Sequence, residues 1–158
     1  MGKIVDRDGL LEVIKEARAS GKKIVMANGA FDLFHVGHLR YLRGAKQLGD
    51  ILIVAMNDDK SVRKLKGKNR PVVPLEDRMV IVAAMEPVDY VVPFGELTVE
   101  KMLRLIKPDV HAKGTDYTEE TVPEKDVVAS YGGKVAIVGD PKDHSSTEFI
   151  EKISKSCK

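Results

Sequence analysis

Cysteine is almost missing from this chain: Cys157 is the only one in 158 residues. That excludes an internal disulfide framework and a thiolate metal site, since each needs more than one thiol. Tryptophan is absent and aromatic residues reach only 5%, too few for the stacking platforms that grip single-stranded nucleic acid. Charge of one sign is lacking as well. The net charge is +2, so the cluster Lys60, Arg63, Lys64, Lys66, Lys68 and Arg70 stands without the overall basicity of a nucleic-acid binder. No apolar run has the length of a membrane span, and Asp6, Arg7 and Asp8 break up the amino-terminal segment before a signal-like core develops. The expectation is a cytoplasmic protein with neither membrane nor nucleic-acid partners. Repeats, low-complexity tracts and linkers are also lacking, which makes a single domain over 1–158 the economical organisation.

Hydrophobic residues at 43% and charged residues at 32% give a globular balance. Leu10, Leu11, Val13, Ile14 and Ala17 set a helical period over 6–20, opened by Asp6 or Asp8 and stopped by Gly21. Lys23–Ala27 and Asp50–Met56 read as strands, the second so continuously apolar that it belongs inside a parallel sheet. Lys60–Arg70 has few apolar anchors and reads as a mobile loop over a site. Further along, the sequence predicts helices over 76–85, 98–106 (capped by Thr98) and 124–130, strands over 88–92, 109–112 and 134–138, and a terminal helix opened by Ser145-Ser146-Thr147. Strand and helix alternate throughout. That pattern predicts an α/β fold, a Rossmann-like, doubly wound parallel sheet with helices on both faces.

The stretch Asn28-Gly-Ala-Phe-Asp-Leu-Phe-His-Val-Gly-His38 sits between the first of these strands and the next helix. Such a turn lies at the carboxyl edge of a parallel sheet, where free N–H groups at a helix start receive an anion. Gly29 and Gly37 permit close backbone approach. His35 and His38 are spaced to share one side of the helix start, where both can donate to phosphoryl oxygens in a charged transition state. The same two histidines with Asp32 also have the makings of a metal site or of simple caps.

Other constellations carry paired readings. Lys64, Lys66 and Lys68 are alternatives for a cation reaching over a phosphate, or are members of a solvated basic loop. Arg78 can hold a phosphate bidentately, or pair with carboxylates on a helix surface. Lys113-Gly114-Thr115-Asp116-Tyr117 follows a predicted strand on the same sheet edge, and reads as part of the site or as an ordinary turn. Ser145, Ser146 and Thr147 offer a second helix start that serves as cap, phosphate site or both. Tyr117, His111 and His144 read as structural or surface residues.

The run from Gly29 to His38 fills every named position of Gly-x-Phe-Asp-x-x-His-x-Gly-His and resembles the signature of the cytidylyltransferase-like nucleotidyltransferases. Within that class the chain is similar, over nearly its whole length, to the adenylyltransferases that make ADP-heptose. Asn57-Asp58-Asp59, Arg70-Pro71, Glu76-Asp77-Arg78-Met79, Lys107-Pro108-Asp109, Lys113–Tyr117 and Ser146-Thr147 carry the likeness. The resemblance implies transfer of AMP from ATP to D-glycero-β-D-manno-heptose 1-phosphate, with Mg²⁺ accompanying the ATP, in a homodimer. It also implies a stand-alone version of a domain that is often fused to a sugar kinase. His35, His38 and Lys66 would be catalytic. Asn28, Gly29, Ala30, Phe31, His35, Gly37, His38, Lys113, Gly114, Asp116, Ser145, Ser146 and Thr147 would bind the nucleotide, and Lys66, Arg70 and Arg78 would meet substrate phosphate. No resident metal is implied. Some relatives carry an arginine ahead of the Ser-Thr pair, where this chain has Pro141, Lys142 and Asp143. The alternatives are a glycerol-3-phosphate cytidylyltransferase, then an FMN adenylyltransferase, or a nucleotide-binding module that lost the reaction. Lys113-Gly-Thr-Asp-Tyr117 follows the Lys-Gly-Gly-Asp-Tyr pattern of the heptose enzymes more closely than the Gly-Asp-Asp-Trp of the glycerol-phosphate enzymes.

Overall fold

Seven consecutive buried residues, Ile51–Asn57, form a strand at the heart of the sheet. A strand can be buried on both faces only if helices cover both, and the chain supplies them. The computed structural model describes residues 1–141 and 145–157. In order, these form β1 (Lys3–Ile4), α1 (Arg7–Ala19), β2 (Ile24–Gly29), α2 (Val36–Lys46), β3 (Ile51–Asn57), α3 (Asp59–Lys66) and α4 (Leu75–Ala83). Then follow β4 (Tyr90–Phe94), α5 (Glu100–Ile106), β5 (Val110–Lys113), α6 (Lys125–Ser130), β6 (Lys134–Ile137) and α7 (Ser146–Ser156). The six strands make one sheet in the order β1-β4-β3-β2-β5-β6, and every pairing is parallel.

Alternation along the strands sorts the core into two layers. Ile24, Met26, Ile51, Ile53 and Ala55 face Leu10 and Ala17 of α1 and Met102, Leu103 and Ile106 of α5. Val25, Ala27, Leu52, Val54 and Met56 face Leu42 and Ala45 of α2 and Val82 and Ala83 of α4. This is the doubly wound, Rossmann-like arrangement that the strand–helix alternation predicts. From β2 the chain winds through β3 to β4, beside the edge strand β1, then returns to lay β5 against the other side of β2. The order reverses between β2 and β5. A crevice opens at such a reversal because the connections leave on opposite faces, and ligands of open α/β sheets bind there.

Three details depart from the sequence expectation, and one open alternative, the cap of α1, is resolved. Residues 60–66 lie in a helix, α3, rather than a loop. Its hold is local: the Asp58 carboxylate accepts from Ser61 N at 2.8 Å, Asp59 stands in the first turn, and Arg63, Lys64 and Lys66 stand in the last, matching the helix dipole. α5 begins after Val99 without a side-chain cap, so Thr98 does not cap it. α1 is capped by Asp6, whose carboxylate accepts from Gly9 N at 2.7 Å, and not by Asp8. The two-residue β1 escaped the pattern altogether, being too short to show a period.

Candidate active site

β2 ends at Gly29, and the six residues that follow turn the chain into α2. Two of them, Phe31 and Leu33, hold φ values of 51° and 49°. Left-handed backbone at bulky residues is costly and persists only where the surroundings fix it. Here they do so from several directions. Between the two, the fully buried Asp32 carboxylate accepts from Val72 N at 2.9 Å, Val73 N at 3.0 Å and Arg70 Nε at 2.9 Å. Burial pulls the Asp32 pKa up, but the two backbone N–H groups and the guanidinium outweigh it and hold the carboxyl below its ordinary value. The Asp32 carbonyl accepts from Ser146 Oγ at the head of α7. The Phe31 ring lies against Phe34, His38 and Tyr41. A Cβ at Gly29 would stand 3.2 Å from that ring, tighter than ordinary contact, so the glycine serves ring placement as much as ligand approach.

The turn delivers His35 and His38 to the start of α2. His35 is the N-cap, and its Nδ1 accepts from Gly37 N at 3.1 Å, while His38 Nδ1 accepts from His35 N at 3.3 Å. Each ring therefore uses Nδ1 as an acceptor, which leaves the proton of the neutral ring on Nε2. The rings stack with centroids 3.9 Å apart, on one side of the helix as the spacing predicts. The first turn of α2 holds no acidic residue. Two oriented N–H donors at a helix start without acidic side chains make this a place for anionic oxygen.

Two chambers meet around His38. The first, about 250 Å³, runs from His35 and Gly37 to Ser145, Ser146 and Thr147, so the amino ends of α2 and α7 face one space. Its far wall includes Val138, Gly139 and Pro141. The second, about 410 Å³, lies over the ends of β2 and β5 and is lined by Asn28, Gly29, Asn57, Lys113 and Tyr117. His38, Tyr41, Lys66, Gly114, Asp116 and Ser146 belong to both. A group held at this shared wall touches the contents of either chamber.

The family model for cytidylyltransferase-like proteins matches residues 26–154. The chain belongs to the cytidylyltransferase-like family. It is 48% identical to "Bifunctional protein HldE" of Geobacter metallireducens over 98% of its own length and 31% of that protein. To the Halorhodospira halophila protein of the same name it is 46% identical, over 95% of this chain and 31% of the relative. The chain thus spans about a third of the length of these curated relatives. Among solved structures, the lipopolysaccharide core biosynthesis protein from Thermoplasma volcanium GSS1 aligns with TM-score 0.65 and 28% identity, covering 77% of this chain and all of that one. Pantoate-beta-alanine ligase from Francisella tularensis aligns with TM-score 0.68 over 93% of this chain and 69% of its own. At 16% identity this second likeness concerns the fold alone.

Within this cytidylyltransferase-like site the signature residues Gly29, Ala30, Phe31, Gly37 and the two histidines stand together, and the 113–117 segment and the head of α7 close around them. Asn28, Gly29, Ala30, Phe31 and Lys113 face the second chamber, whereas Ser145 and Thr147 face the first. Ser145 also caps α7, its Oγ accepting from Glu148 N at 3.1 Å, so cap and site coexist. Of the three candidate lysines, Lys66 lines both chambers and Lys64 and Lys68 line neither. Lys113 is buried, with Nζ 4.7 Å from the centre of the Tyr117 ring. Burial pushes its pKa below the ordinary value against the opposing pull of Glu124 and Asp116.

Arg78 does pair with a carboxylate, that of Asp59, but in the interior rather than on a helix surface. It is neither on the surface nor open to a phosphate: only 1% exposed, it donates from Nη1 to the carbonyls of Ala30 (2.6 Å) and Asn57 (2.9 Å), from Nε to Val73 O (2.9 Å) and from Nη2 to Asp59 (2.7 Å). Its work is to tie the β2 turn, the end of β3 and α4 together. Arg70 is likewise engaged with Asp32 and lines neither chamber. His111, read as structural, is fully buried. Lys142, Asp143 and His144 lie outside the described residues.

Sequence reading missed Tyr41 and Arg40. Tyr41 Oη donates to Ala112 O at 2.7 Å, and burial raises the phenol pKa far beyond its usual range, so it stays a neutral donor. Its position three residues beyond His38 on one helix was the available signal. Arg40 lines the first chamber and pairs with Asp140 at 3.1 Å. It brings positive charge to the side where Pro141 begins the segment that lacks the relatives' arginine.

Proposed function

We propose that this chain transfers AMP from ATP to D-glycero-β-D-manno-heptose 1-phosphate, releasing pyrophosphate and ADP-heptose. One observation carries the reading: two imidazole Nε2 donors and two helix amino ends converge on one chamber whose wall is shared with a second, polar chamber at the sheet's reversal point. ATP occupies the first chamber, with its α-phosphorus at the shared wall beside His38 and Ser146. The acceptor occupies the second chamber, so in this reading Asn28, Gly29, Ala30, Phe31 and Lys113, which the family resemblance gives to the nucleotide, meet the acceptor instead. Its phosphate oxygen, already anionic at neutral pH, attacks the α-phosphorus; the bond to the bridging oxygen of the β-phosphate breaks, and pyrophosphate leaves with the electron pair.

No general base is needed, because the nucleophile carries its charge beforehand. Catalysis then rests on alignment of the two phosphates and on neutralising charge as it spreads over the equatorial oxygens. His35 and His38 donate there through Nε2, and Lys66 adds an ammonium at the entrance of both chambers. Magnesium arrives on the triphosphate. In this reading the ion is ligated mainly by phosphate oxygens and water. The sugar is chosen by the likeness of residues 113–117 and the other matched segments to the heptose enzymes, and by relatives named HldE at 46–48% identity.

The test offers ATP or CTP with heptose 1-phosphate or glycerol 3-phosphate in all four pairings and measures pyrophosphate release. ATP with heptose 1-phosphate should give the highest kcat/KM, with activity lost on chelation of magnesium and restored on its return. A maximum with CTP and glycerol 3-phosphate would transfer the assignment to the cytidylyltransferase alternative. The family resemblance also supports a cytoplasmic homodimer, and light scattering at micromolar concentration should give twice 17.4 kDa.

A further inference from the structure

His111 is the one histidine in the core, fully buried on β5 beside the reversal point. Its Nε2 lies 3.0 Å from the Oδ1 of Asn28 on the neighbouring strand β2. Its Nδ1 is also buried and has no hydrogen-bond partner among the described residues. A buried polar group with one partner missing is expensive and calls for a reason. Its sequence neighbours Val110 and Ala112 point to the opposite face of the sheet, into the layer under α2 and α4.

The reason follows from which nitrogen carries the proton. Burial, assisted by the Lys113 charge, pushes the His111 pKa down to about 3, so the ring is neutral at working pH and holds one N–H. If that hydrogen were on Nδ1, a donor would be buried with nothing to accept it, the rarer and costlier arrangement. With the hydrogen on Nε2, the ring donates to Asn28 Oδ1, and the orphan is only a lone pair. The carbonyl end of the Asn28 amide is then turned inward. Its NH₂ end must turn the other way, and Asn28 lines the second chamber. Among the described residues that NH₂ donates to nothing.

We infer that His111 is a positioning residue that fixes the Asn28 amide, so that its NH₂ donates to an oxygen of the sugar phosphate held in the second chamber. The inference rests on the nucleotidyl-transfer reading and adds a specificity device to it. Left alone, an asparagine amide can rotate and present either a donor or an acceptor. The buried imidazole removes that freedom, and the subsite then favours acceptors that offer a lone pair at this point. Asn28 does not line the first chamber, so the effect falls on the acceptor and spares ATP.

The experiment compares wild type with H111L, which keeps bulk and removes the donor, and with H111Q, whose Nε2 can donate to the same oxygen. KM for heptose 1-phosphate should rise roughly tenfold in H111L, the scale of one neutral hydrogen bond. KM for ATP and kcat should stay within about twofold, and H111Q should recover most of the loss. Equal rises in both KM values, or H111Q as impaired as H111L, would overturn the inference. Nitrogen-15 NMR of the wild-type protein should show His111 as the neutral Nε2–H tautomer from pH 5 to 8; the Nδ1–H tautomer would overturn it without any turnover being measured. Should H111L not fold, the tautomer and the H111Q measurement decide, a tenfold rise in acceptor KM in H111Q being the contrary result. A wild type that releases no pyrophosphate from any pairing sinks the nucleotidyl-transfer reading instead, and the acceptor role with it.

Discussion

The two rims of the site are built on opposite plans. On the inner rim, from Gly29 to His38, the left-handed turn at Phe31 and Leu33 is flanked by buried restraints: Asp32 is held by two N–H groups and Arg70, Ala30 by Arg78, and Phe31 by a cluster of rings. On the outer rim, from Leu65 to Lys68, every side chain is exposed and Gly67 has φ 108° with open space around its missing Cβ. The inner rim holds groups that must already be in place when charge develops, and such groups act best when nothing has to reorganise. The outer rim carries Lys66, which in the proposed function admits substrate before covering it. Rigidity on one side and compliance on the other divide the site into a template and a cover.

The largest test removes the inner rim's anchor. Asp32→Ala strips a buried carboxylate from Arg70 and from two backbone N–H groups, and the unpaired guanidinium should cost about 3–5 kcal/mol, read as a lower denaturant midpoint at unchanged slope. The same carboxylate gives the wild type an acid signature. Its folded pKa lies below its ordinary 3.8, so the unfolded chain takes up the proton first as pH falls. The Asp32 contribution is therefore complete above that ordinary value and is lost as pH drops through the lower folded one. The Asp32→Ala variant should lack that part of the acid slope. A loss under about 1 kcal/mol would mean that the strained turn stands without its anchor, and the contrast between the rims would collapse.

Next in size is His38→Ala. It removes one oriented donor and should lower turnover by roughly a hundredfold or more. Stability should fall by only a few degrees of Tm, about the cost of one cap and some ring packing. Near-normal turnover would take the histidine out of the transition state.

How far the sequence revealed these two rims follows from what each uses for stability. The inner rim was legible because its chemistry lies in consecutive residues: Asn28 to His38 hold the glycines, the aspartate and both histidines in one string. The strands were legible because burial on both faces demands continuous apolar runs such as Ile51–Met56. α3 was not, since Val62 is its one buried apolar residue and the helix rests on a cap and on charge order that a hydrophobic period does not register. Arg78 was misread because its partners are mostly backbone carbonyls, two of them from the distant Ala30 and Asn57, and carbonyls leave no trace in residue types. The pairing of His111 with Asn28 was equally invisible, because the two lie 83 positions apart.

The smallest effect on stability should come from Gly67→Ala, and that smallness is its use. With φ 108° and ψ 165°, Gly67 occupies a region open almost only to glycine, where a Cβ adds roughly 1–3 kcal/mol of local strain. Exposed backbone need not bear that strain. The last turn of α3 is free to unwind, because the residues around it bury almost nothing, and a segment with few buried contacts opens at little global expense. Tm should therefore move by no more than about two degrees. What changes is where Lys66, one residue earlier, spends its time. If the outer rim is a cover, displacing it should raise KM for ATP severalfold while kcat at saturation falls less, since bound substrate helps to restore the closed geometry. If Gly67→Ala instead lowers the denaturant midpoint as much as Asp32→Ala does, α3 is as tightly built into the fold as the inner rim, and Lys66 is part of the template.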